Sequence, residues 1–410
     1  MYRKNMISAT ESILKTPERS PEHEHTWHRR KIAKSWSIAR LLRYGYEATR
    51  LAIRIRRAPG GCKIGAACAA AAVILASASC RHQPDIVHRT WPAMGTFASI
   101  IVPAEDSSLL PGLADEARMT LENLESRFSV YRTDSDISRI NAAAGEHPVP
   151  VAPETAQLLE KCAFYSRKSD GAFDATIGPA LALWRESSRK STMPSPGEIR
   201  AAAALVDYRL LAVEGNAAML QKKGMSADLG GIAKGFAVDV CLNRLQESGV
   251  RNVMVDLGGN MRCLGSPDGS RQWLIGVRHP FDRSRIIGRL SLASGAAVAT
   301  SGNYERFVEI QGRKFGHILD PRSGLPADEM ASVTVTARSA CEADALSTAI
   351  FVLGMERGAR LLQQFRECGA ILVPNREPVE VWMTADLQGA FAPEKEYSSS
   401  VRLLDTRPGL

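Results

Sequence analysis

An acidic residue and a hydroxyl residue stand four positions apart in the segment SACEADALSTAIFVLG, which runs from Ser339 to Gly354. Ser339 with Glu342 three residues later forms a capping box, and the apolar run that follows predicts a helix ended by the glycine. A spacing of four places Asp344 and Thr348 on one helix face. A carboxylate and a hydroxyl suit Mg²⁺ when phosphates supply further oxygen ligands. The alternative is a polar helix face that only contacts solvent.

A glycine pair lies in the segment ADLGGIAKGFAVD, which runs from Ala227 to Asp239. We expect a strand over Ala217 to Leu229 that turns through Gly230 and Gly231 into a helix. Free backbone N–H groups at such a helix start attract an anion, and Lys234 lies one turn further on. The pattern is neither a P-loop nor G-x-G-x-x-G, so nucleotide binding cannot be inferred from those motifs. The alternative is a glycine-rich strand-to-helix corner with a surface lysine.

A histidine and a carboxylate stand three apart in SGNYERFVEIQGRKFGHILDPRSGLP, residues 301–326. His317 and Asp320 follow a predicted strand and precede a Pro-Arg-Ser-Gly turn. A loop of this kind can direct an imidazole and a carboxylate into a cleft for proton transfer. Alternatively, the pair only stabilises its own turn.

Two further segments suit the binding of a flat ligand. In SDGAFDATIGPALALW, residues 169–184, Asp174 stands among small residues, so a ring could approach closely and donate N–H groups to the carboxylate. A turn before a helix is the alternative. In FSVYRTDSDISRIN, residues 128–141, Tyr131 is either an aromatic platform or a core aromatic, and a helix starts within Asp134 to Ser138.

Strands and helices in mixed order must position these residues. The alternation over Val87 to Val102 predicts an early strand, and apolar spacing predicts helices at Leu109 to Phe128 and Ala152 to Ser169. Because the order is mixed and no fixed-period repeat is present, we expect an α+β fold. The other predicted strands are Asp207 to Val213, Asn252 to Leu257, Gln272 to Val277, Arg289 to Leu292, Ala296 to Ala299, Phe307 to Ile310, Ser332 to Ala337, Ala370 to Val373 and Val379 to Met383.

Charge and cysteine content exclude two classes of protein. Residues 1–63 hold 15 Lys or Arg and 5 Asp or Glu, an excess of 10 positive charges in a chain of net charge +8, so the remaining residues sum to −2. The body therefore lacks the basic excess that a nucleic-acid partner requires. The eight cysteines include no C-x-x-C pair, which argues against a zinc site, and those of the body are expected to be small buried hydrophobes.

The amino-terminal 80 residues have the character of a leader. Residues 64–79 form an apolar run behind basic residues, which is the order of an export signal and too short for a confident membrane span. Cys80 follows small residues and predicts a lipidated mature amino terminus; a secreted or signal-anchored protein and a cytoplasmic chain are the alternatives. Residues 1–63 are either the product of a start site placed too far upstream or a cytoplasmic extension with a basic amphipathic helix at Ile32 to Ile55.

Taken in order, these segments resemble the ApbE family, the FAD:protein FMN transferases. MGTFASI at Met94, VDLGGN at Val255 and ATSGNYERF at Ala299 match further landmarks of that family, and the matches cover nearly all of residues 88–360. The resemblance implies an ApbE-like, T-fold-related mixed sheet-and-helix domain over residues 81–396, with a polar tail at 397–410. It also implies that FAD binds in a cleft between two subdomains.

The reaction that the resemblance implies is attack by a threonine or serine hydroxyl of a target flavoprotein on the FMN phosphorus of FAD, with AMP leaving and a phosphoester bond formed. We expect Met94, Tyr131, Asp174, Lys234 and His317 to contact FAD. The acceptor in this family tends to be a flavoprotein subunit of a membrane redox complex. Together with the signal, this predicts an enzyme on the periplasmic side of a bacterial inner membrane.

The resemblance also assigns a metal site and leaves two candidates for the base. Mg²⁺ would be held by the Asp344 carboxylate, the Thr348 hydroxyl and the Gly231 carbonyl, with FAD phosphate oxygens completing the shell. Of the candidate catalytic residues His317 and Asp320, we prefer His317 as base because the ordinary pKa of histidine lies nearer neutrality. Two other functions use the same residues: an Mg²⁺-dependent FAD pyrophosphatase and a non-catalytic periplasmic FAD-binding lipoprotein.

Overall fold

A computed structural model describes residues 85–303 and 307–405 of the chain. These described residues form one compact unit, so the two subdomains implied by the resemblance are parts of a single body. The basic leader, the apolar segment and Cys80 lie outside the described residues, so the predictions made for them remain predictions. Within the described part, no helix is both long enough and apolar enough to cross a membrane.

The described residues form seven α-helices and nineteen strands. The helices are α1 (Leu110–Phe128), α2 (Asp136–Ala142), α3 (Pro153–Lys168), α4 (Gly178–Lys190), α5 (Pro196–Ala203), α6 (Ala233–Glu247) and α7 (Ala340–Leu362). The strands are β1 (Ile86–Ala93), β2 (Thr96–Pro103), β3 (Val149–Pro150), β4 (Leu211–Glu214), β5 (Ala217–Leu220), β6 (Val253–Leu257), β7 (Asn260–Leu264), β8 (Trp273–Arg278), β9 (Ile286–Leu292), β10 (Ala297–Gly302), β11 (Phe307–Ile310), β12 (Arg313–Gly316), β13 (Leu319–Asp320), β14 (Leu325–Pro326), β15 (Met330–Ala337), β16 (Gly369–Pro374), β17 (Val381–Met383), β18 (Phe391–Pro393) and β19 (Val401–Leu403). The expected α+β class is confirmed.

A nine-stranded sheet, in the order β1-β2-β6-β7-β10-β15-β16-β17-β19, is the centre of the fold. Its strand pairs are antiparallel except for β17 and β19, which are parallel. Helices α1, α6 and α7 bury their apolar residues, such as Leu121, Leu245 and Ile350, against one face. The three-stranded sheet β18-β9-β8 covers the other face through residues such as Trp273 and Leu290. The mixed strands and helices thus form three layers.

The single strand predicted over Val87 to Val102 is wrong, because the segment folds back as a hairpin. β1 and β2 pair antiparallel, with Ala93 opposite Thr96. Met94 and Gly95 join them with φ angles of 48° and 69°. Positive φ at both central residues is typical of the type I′ turn, which suits the twist of a two-residue hairpin.

The strand predicted over Ala217 to Leu229 is also wrong beyond Leu220. β5 ends there, Gly224 follows with a φ of 88°, and residues 221–229 form a turn and an irregular loop with one isolated bridge between Ser226 and Ile177. The glycine pair therefore lies in a turn before α6, not at the end of a strand. The strand predicted over Asp207 to Val213 begins only at Leu211, since residues 208–210 form a 3₁₀ turn.

The predicted helix around Asp344 is confirmed, and its predicted end is visible as a break. The Ser339 hydroxyl caps α7 by accepting the Glu342 N–H at 3.1 Å. Gly354 has φ 73° and ψ −169°, which are not helical values, and the chain then resumes a helical path to Leu362. The Glu329 carboxylate accepts the Met355 N–H at 2.8 Å and so caps this second segment.

The structured body extends past the predicted domain end at Glu396. Tyr397 is buried, and β19 pairs with β17 in the main sheet, so residues 397–405 are not a free polar tail. The five cysteines of the described part are buried and unpaired, as expected for small hydrophobes: Cys162, Cys241, Cys263, Cys341 and Cys368. Burial raises the pKa of the Cys241 thiol to about 12, which leaves it protonated and unreactive.

Candidate functional site

One cavity of about 1030 Å³ gathers most of the residues singled out in the sequence. It is lined by eight of the nine predicted site residues: Met94, Tyr131, Asp174, Gly231, Lys234, His317, Asp344 and Thr348. The ninth, Asp320, does not line it, although its neighbours Leu319 and Pro321 do. Segments more than 200 residues apart in sequence therefore meet around one space that is large enough for a dinucleotide-sized ligand.

The crossing of α6 and α7 fixes the charged groups of the site. Asp344, only 4% exposed, accepts the Gly235 N–H on Oδ2 at 3.0 Å. The Lys234 ammonium lies 3.5 Å from the same oxygen and donates to the Gly230 carbonyl at 3.0 Å. A Cβ at Gly235 would overlap the Ala340 carbonyl, so this close approach of the two helices requires glycine.

The oxygen atoms next to this crossing form a donor set that fits a hard cation. The Thr348 hydroxyl lies 3.4 Å from the Gly231 carbonyl oxygen, which is long for a hydrogen bond, and 3.3 Å from the Ser301 hydroxyl. Asp344 Oδ1 accepts no hydrogen bond from any described residue. The described residues contain no group of three His, Cys, Asp or Glu side chains suited to a metal. A cation here would therefore need the hydroxyl, the carbonyl and ligand oxygens as well as the carboxylate, which is the chemistry that Mg²⁺ prefers.

The turn that presents Met94 is fixed by a side chain that the sequence reasoning missed. Glu125 on α1 accepts the Met94 N–H on Oε2 at 3.0 Å. Met94 is one of four described non-glycine residues with positive φ, a conformation that the flanking hairpin and this bond maintain. The signal for Glu125 was not available in the sequence, because only the fold brings α1 beside the β1–β2 turn.

A second missed group connects the glycine turn with the aromatic rim of the cavity. Asp228 accepts the Gly230 N–H on Oδ1 at 2.9 Å and pairs through Oδ2 with Arg185 at 3.0 Å. The Arg185 guanidinium carbon lies 5.7 Å from the centre of the Tyr131 ring. An aspartate two residues before a glycine is the signal of an Asx turn, so the role of Asp228 could have been found from the sequence.

Tyr131 is a surface aromatic, and the alternative of a core aromatic is wrong. Tyr131 is 80% exposed and lines the cavity from the loop before α2, and the Ser135 cap of α2 confirms the predicted helix start. An exposed aromatic with a cation on one face can stack a ring on the other. Contact between Tyr131 and FAD stays a prediction.

Asp174 shapes its own loop with its carboxylate. Oδ1 accepts the Thr176 N–H at 2.7 Å and its hydroxyl at 2.8 Å, while Oδ2 accepts the Tyr208 N–H at 2.9 Å. Burial raises the pKa of the Asp174 carboxyl above its ordinary value, and these hydrogen bonds oppose that shift. The loop therefore presents Asp174 to the cavity in one fixed orientation, and its predicted contact with FAD remains a prediction.

His317 and Asp320 have different surroundings despite their spacing. His317 directly follows β12 and lines the cavity. Asp320 instead binds the Arg322 side chain through both carboxylate oxygens, at 2.8 and 2.7 Å, and its carbonyl accepts the N–H of Gly324 at 2.8 Å. Asp320 thus stabilises the Pro-Arg-Ser-Gly turn, which is the structural alternative for that residue.

The cavity combines a carboxylate–hydroxyl–carbonyl set, an ammonium group, an imidazole and an exposed aromatic ring, features of an enzyme site for a phosphate-bearing aromatic ligand. The comparisons agree with this class. The sequence model of the ApbE family matches residues 94–372, and the chain belongs to that family.

Individual relatives are similar along most of their length. An FAD:protein FMN transferase of Klebsiella pneumoniae is 36% identical over 271 residues, 65% of this chain and 84% of the relative. One from Vibrio cholerae is 32% identical over 340 residues, 81% of this chain and 96% of the relative. The solved flavin transferase ApbE of Vibrio cholerae has a TM-score of 0.67 at 29% identity and covers 75% of this chain and 100% of its own. The ApbE protein of Thermotoga maritima has a TM-score of 0.65 at 30% identity, with coverages of 78% and 100%.

Proposed function

We propose that this protein transfers FMN from FAD to a threonine or serine hydroxyl of a target flavoprotein, in an Mg²⁺-dependent reaction that forms a phosphoester bond and releases AMP. The observation that carries the proposal is the convergence of Asp344, Thr348, Gly231 and Lys234 at one wall of the cavity that also exposes His317. Family membership, and relatives that are FAD:protein FMN transferases, support it.

Different residues of the site would bind the rings and the pyrophosphate of FAD. Tyr131 and the loop of Asp174 would bind the rings of FAD, and Met94 would contact them from the β1–β2 turn. Lys234 can exchange the Gly230 carbonyl for a phosphate oxygen and so hold the pyrophosphate against the start of α6. Phosphoryl transfer depends mainly on such positioning and charge neutralisation.

In the transfer step the acceptor hydroxyl oxygen forms a bond to the FMN phosphorus. The bond from that phosphorus to the bridging oxygen breaks, and AMP leaves with this oxygen and the bonding electrons. The hydroxyl proton passes to the His317 imidazole, which lines the cavity. Asp344, Thr348 and the Gly231 carbonyl would hold Mg²⁺, which supplies positive charge to the phosphate oxygens as negative charge develops there.

The cellular setting is part of the proposal and depends on the sequence alone. The basic and apolar segments before Cys80 support export and attachment to the periplasmic side of a bacterial inner membrane by a lipid at that cysteine. The expected acceptor, a flavoprotein subunit of a membrane redox complex, would then lie at the same membrane surface as the enzyme.

The test compares AMP release by the purified full chain with FAD and Mg²⁺, with and without a candidate acceptor flavoprotein. The proposal expects AMP only when both acceptor and Mg²⁺ are present, and its loss in EDTA. The Asp344→Asn variant should release AMP at least ~100-fold more slowly, whereas Asp386→Asn, an exposed carboxylate outside the cavity, should match the wild type. AMP release without acceptor at the same rate would identify a hydrolase instead.

A further inference from the structure

Asp239, which does not line the cavity, connects the two helices that carry the cation ligands. Its Oδ1 accepts the N–H of Ala340 and its Oδ2 the N–H of Cys341, both at 2.9 Å. These are the first two residues of α7, whose N–H groups have no partner inside the helix. The carboxylate that caps α7 therefore comes from α6, in addition to the Ser339 cap within the chain segment itself.

The capping carboxylate is itself held in place by a partly buried cation. Arg262 on β7 pairs with Asp239 Oδ1 at 2.9 Å, and the two side chains are only 20% and 13% exposed. The same guanidinium donates to Asn243, one turn further along α6, at 3.3 Å. Each oxygen of the Asp239 carboxylate accepts an N–H group and one of them also pairs with Arg262, so the orientation of the carboxylate is fixed.

Gly235 and Asp239 are four residues apart, so they lie on one face of α6, the face that α7 crosses. Ala340 meets both of them: its carbonyl lies where a Cβ of Gly235 would be, and its N–H donates to Asp239. One turn later along α7, Asp344 accepts the Gly235 N–H at 3.0 Å. The position of the Asp344 carboxylate thus depends on how α7 lies against α6, and Asp239 supplies two of the bonds that fix this, to the N–H groups of Ala340 and Cys341.

We propose that Asp239 is a positioning residue for the bound cation: it fixes the start of α7 against α6 and thereby sets the Asp344 carboxylate and Thr348 hydroxyl against the Gly231 carbonyl. This inference rests on the proposed function for the cation itself. It goes further because it gives a specific task to a residue outside the cavity. Ser339 caps the same helix through a bond to Glu342 within α7 itself, so a comparison of the two caps separates the stability of α7 from its placement against α6.

The experiment measures binding of Mn²⁺ alone and with FAD, by the loss of the free-ion EPR signal, to full-length wild type, Asp239→Ala, Asp239→Asn and Ser339→Ala. Thermal unfolding is recorded for each protein, and FAD binding is measured in EDTA. We expect Asp239→Ala to bind Mn²⁺ about 10- to 100-fold more weakly, with FAD binding in EDTA unchanged. Asp239→Asn keeps one acceptor oxygen and should recover part of the affinity, while Ser339→Ala should lower Tm but not Mn²⁺ affinity.

Equal Mn²⁺ affinity of Asp239→Ala and Ser339→Ala at comparable Tm would overturn the inference, because Asp239 would then be only a helix cap. If Asp239→Ala does not fold, the same comparison is decided by Asp239→Asn. A wild type that binds no Mn²⁺ even with FAD would overturn the cation site of the proposed function and this inference with it. Intact wild-type binding with unaffected Asp239 variants overturns this inference alone.

Discussion

At the scale of single residues, His317 and Asp320 have different surroundings in the structure although they stand only three positions apart in the sequence. His317 lines the cavity, whereas both oxygens of Asp320 are bonded to Arg322. A carboxylate held in a two-point ion pair outside the cavity is poorly placed to accept a proton from a bound hydroxyl. Of the two candidates only His317 lines the cavity, and its role as the base stays a prediction.

This distinction predicts different results for two substitutions. His317→Ala should lower the rate of FMN transfer at neutral pH by about 10²- to 10⁴-fold, because the hydroxyl loses its proton acceptor. FAD binding, measured by flavin fluorescence, should weaken far less than the transfer rate falls, since the other expected FAD contacts remain. Asp320→Asn should keep most of the transfer rate. Full transfer in His317→Ala with normal FAD binding would contradict the assignment.

Residue types and spacing identified the chemical groups but not their partners. The helical spacing of Asp344 and Thr348 correctly placed both on one helix face, because a helix has a fixed period, and the structure shows that both line the cavity. Glu125 and Arg185 were missed, since no local pattern indicates which distant side chain will meet a turn or a ring. Their roles depend on tertiary contacts alone.

At the scale of elements, the crossing of α6 and α7 decides whether the cation ligands meet. The helices approach so closely at Gly235 that its N–H bonds Asp344 and its missing Cβ leaves room for Ala340. Overpacking at such a point forces the backbones apart. The geometry of the site is therefore sensitive to one methyl group that lies outside the cavity.

Gly235→Ala should destabilise the protein by about 1–3 kcal/mol through this overlap and should also weaken cation binding. Gly112→Ala is the matched control, because Gly112 lies in α1 and an added Cβ there meets nothing within 4 Å. The control should be neutral or more stable by about 0.4–1 kcal/mol. Chemical denaturation of both variants measures the difference, and equal stability of the two would refute the close crossing.

The helices were predicted better than the strands. Long apolar periodicity gave both ends of α1 and α3 to within one residue, and a capping pattern gave the start of α7, although α7 continues past its predicted end at Gly354 to Leu362. The hairpin at Met94 and the turn before α6 were read as strand, since alternation does not reveal a reversal made by Met-Gly or a loop interrupted at Gly224. The α+β class survived these errors because the order of elements did not change.

At the scale of the whole molecule, the stability of the fold should depend on pH through His279, a buried histidine that does not line the cavity. His279 Nδ1 accepts the N–H groups of Phe281 and Asp282 at 3.1 and 2.9 Å. Burial lowers the pKa of His279 below its ordinary value, and Arg285 adds to the shift. The opposing carboxylates Asp282, Glu377 and Glu396 only reduce it, so the folded protein favours the neutral ring.

Because the folded pKa of His279 lies below the unfolded value of about 6.5, the unfolded chain binds more protons as the pH falls through that range. Its contribution to stability is complete above pH ~6.5 and is lost on acidification toward the folded pKa. His279→Asn keeps an acceptor oxygen and cannot titrate, so its Tm should fall less between pH 7.5 and 5.5. The exposed His147→Asn is the control, and an identical Tm decrease in both variants would disprove the effect.

The assembly of the whole site was the part that local sequence patterns could not give. Eight predicted residues from six segments line one cavity, yet five of those segments, each taken alone, had a plain structural alternative. Only the ordered match to a family, across most of the chain, indicated that they act together. The capping of α7 by Asp239 needed the structure, because nothing in the sequence relates that residue to Ala340.

The central claim is that the cavity transfers FMN to a protein hydroxyl, and the intact mass of a candidate acceptor flavoprotein tests it most directly. Co-expressed with this chain, the acceptor should gain the mass of one FMN less one water. Co-expressed with the Asp344→Ala variant, it should keep its unmodified mass. Two results would contradict the account. In the first, the acceptor stays unmodified while the wild-type chain, supplied with Mg²⁺, converts FAD to FMN and AMP. In the second, the Asp344→Ala variant labels the acceptor as fully as the wild type does.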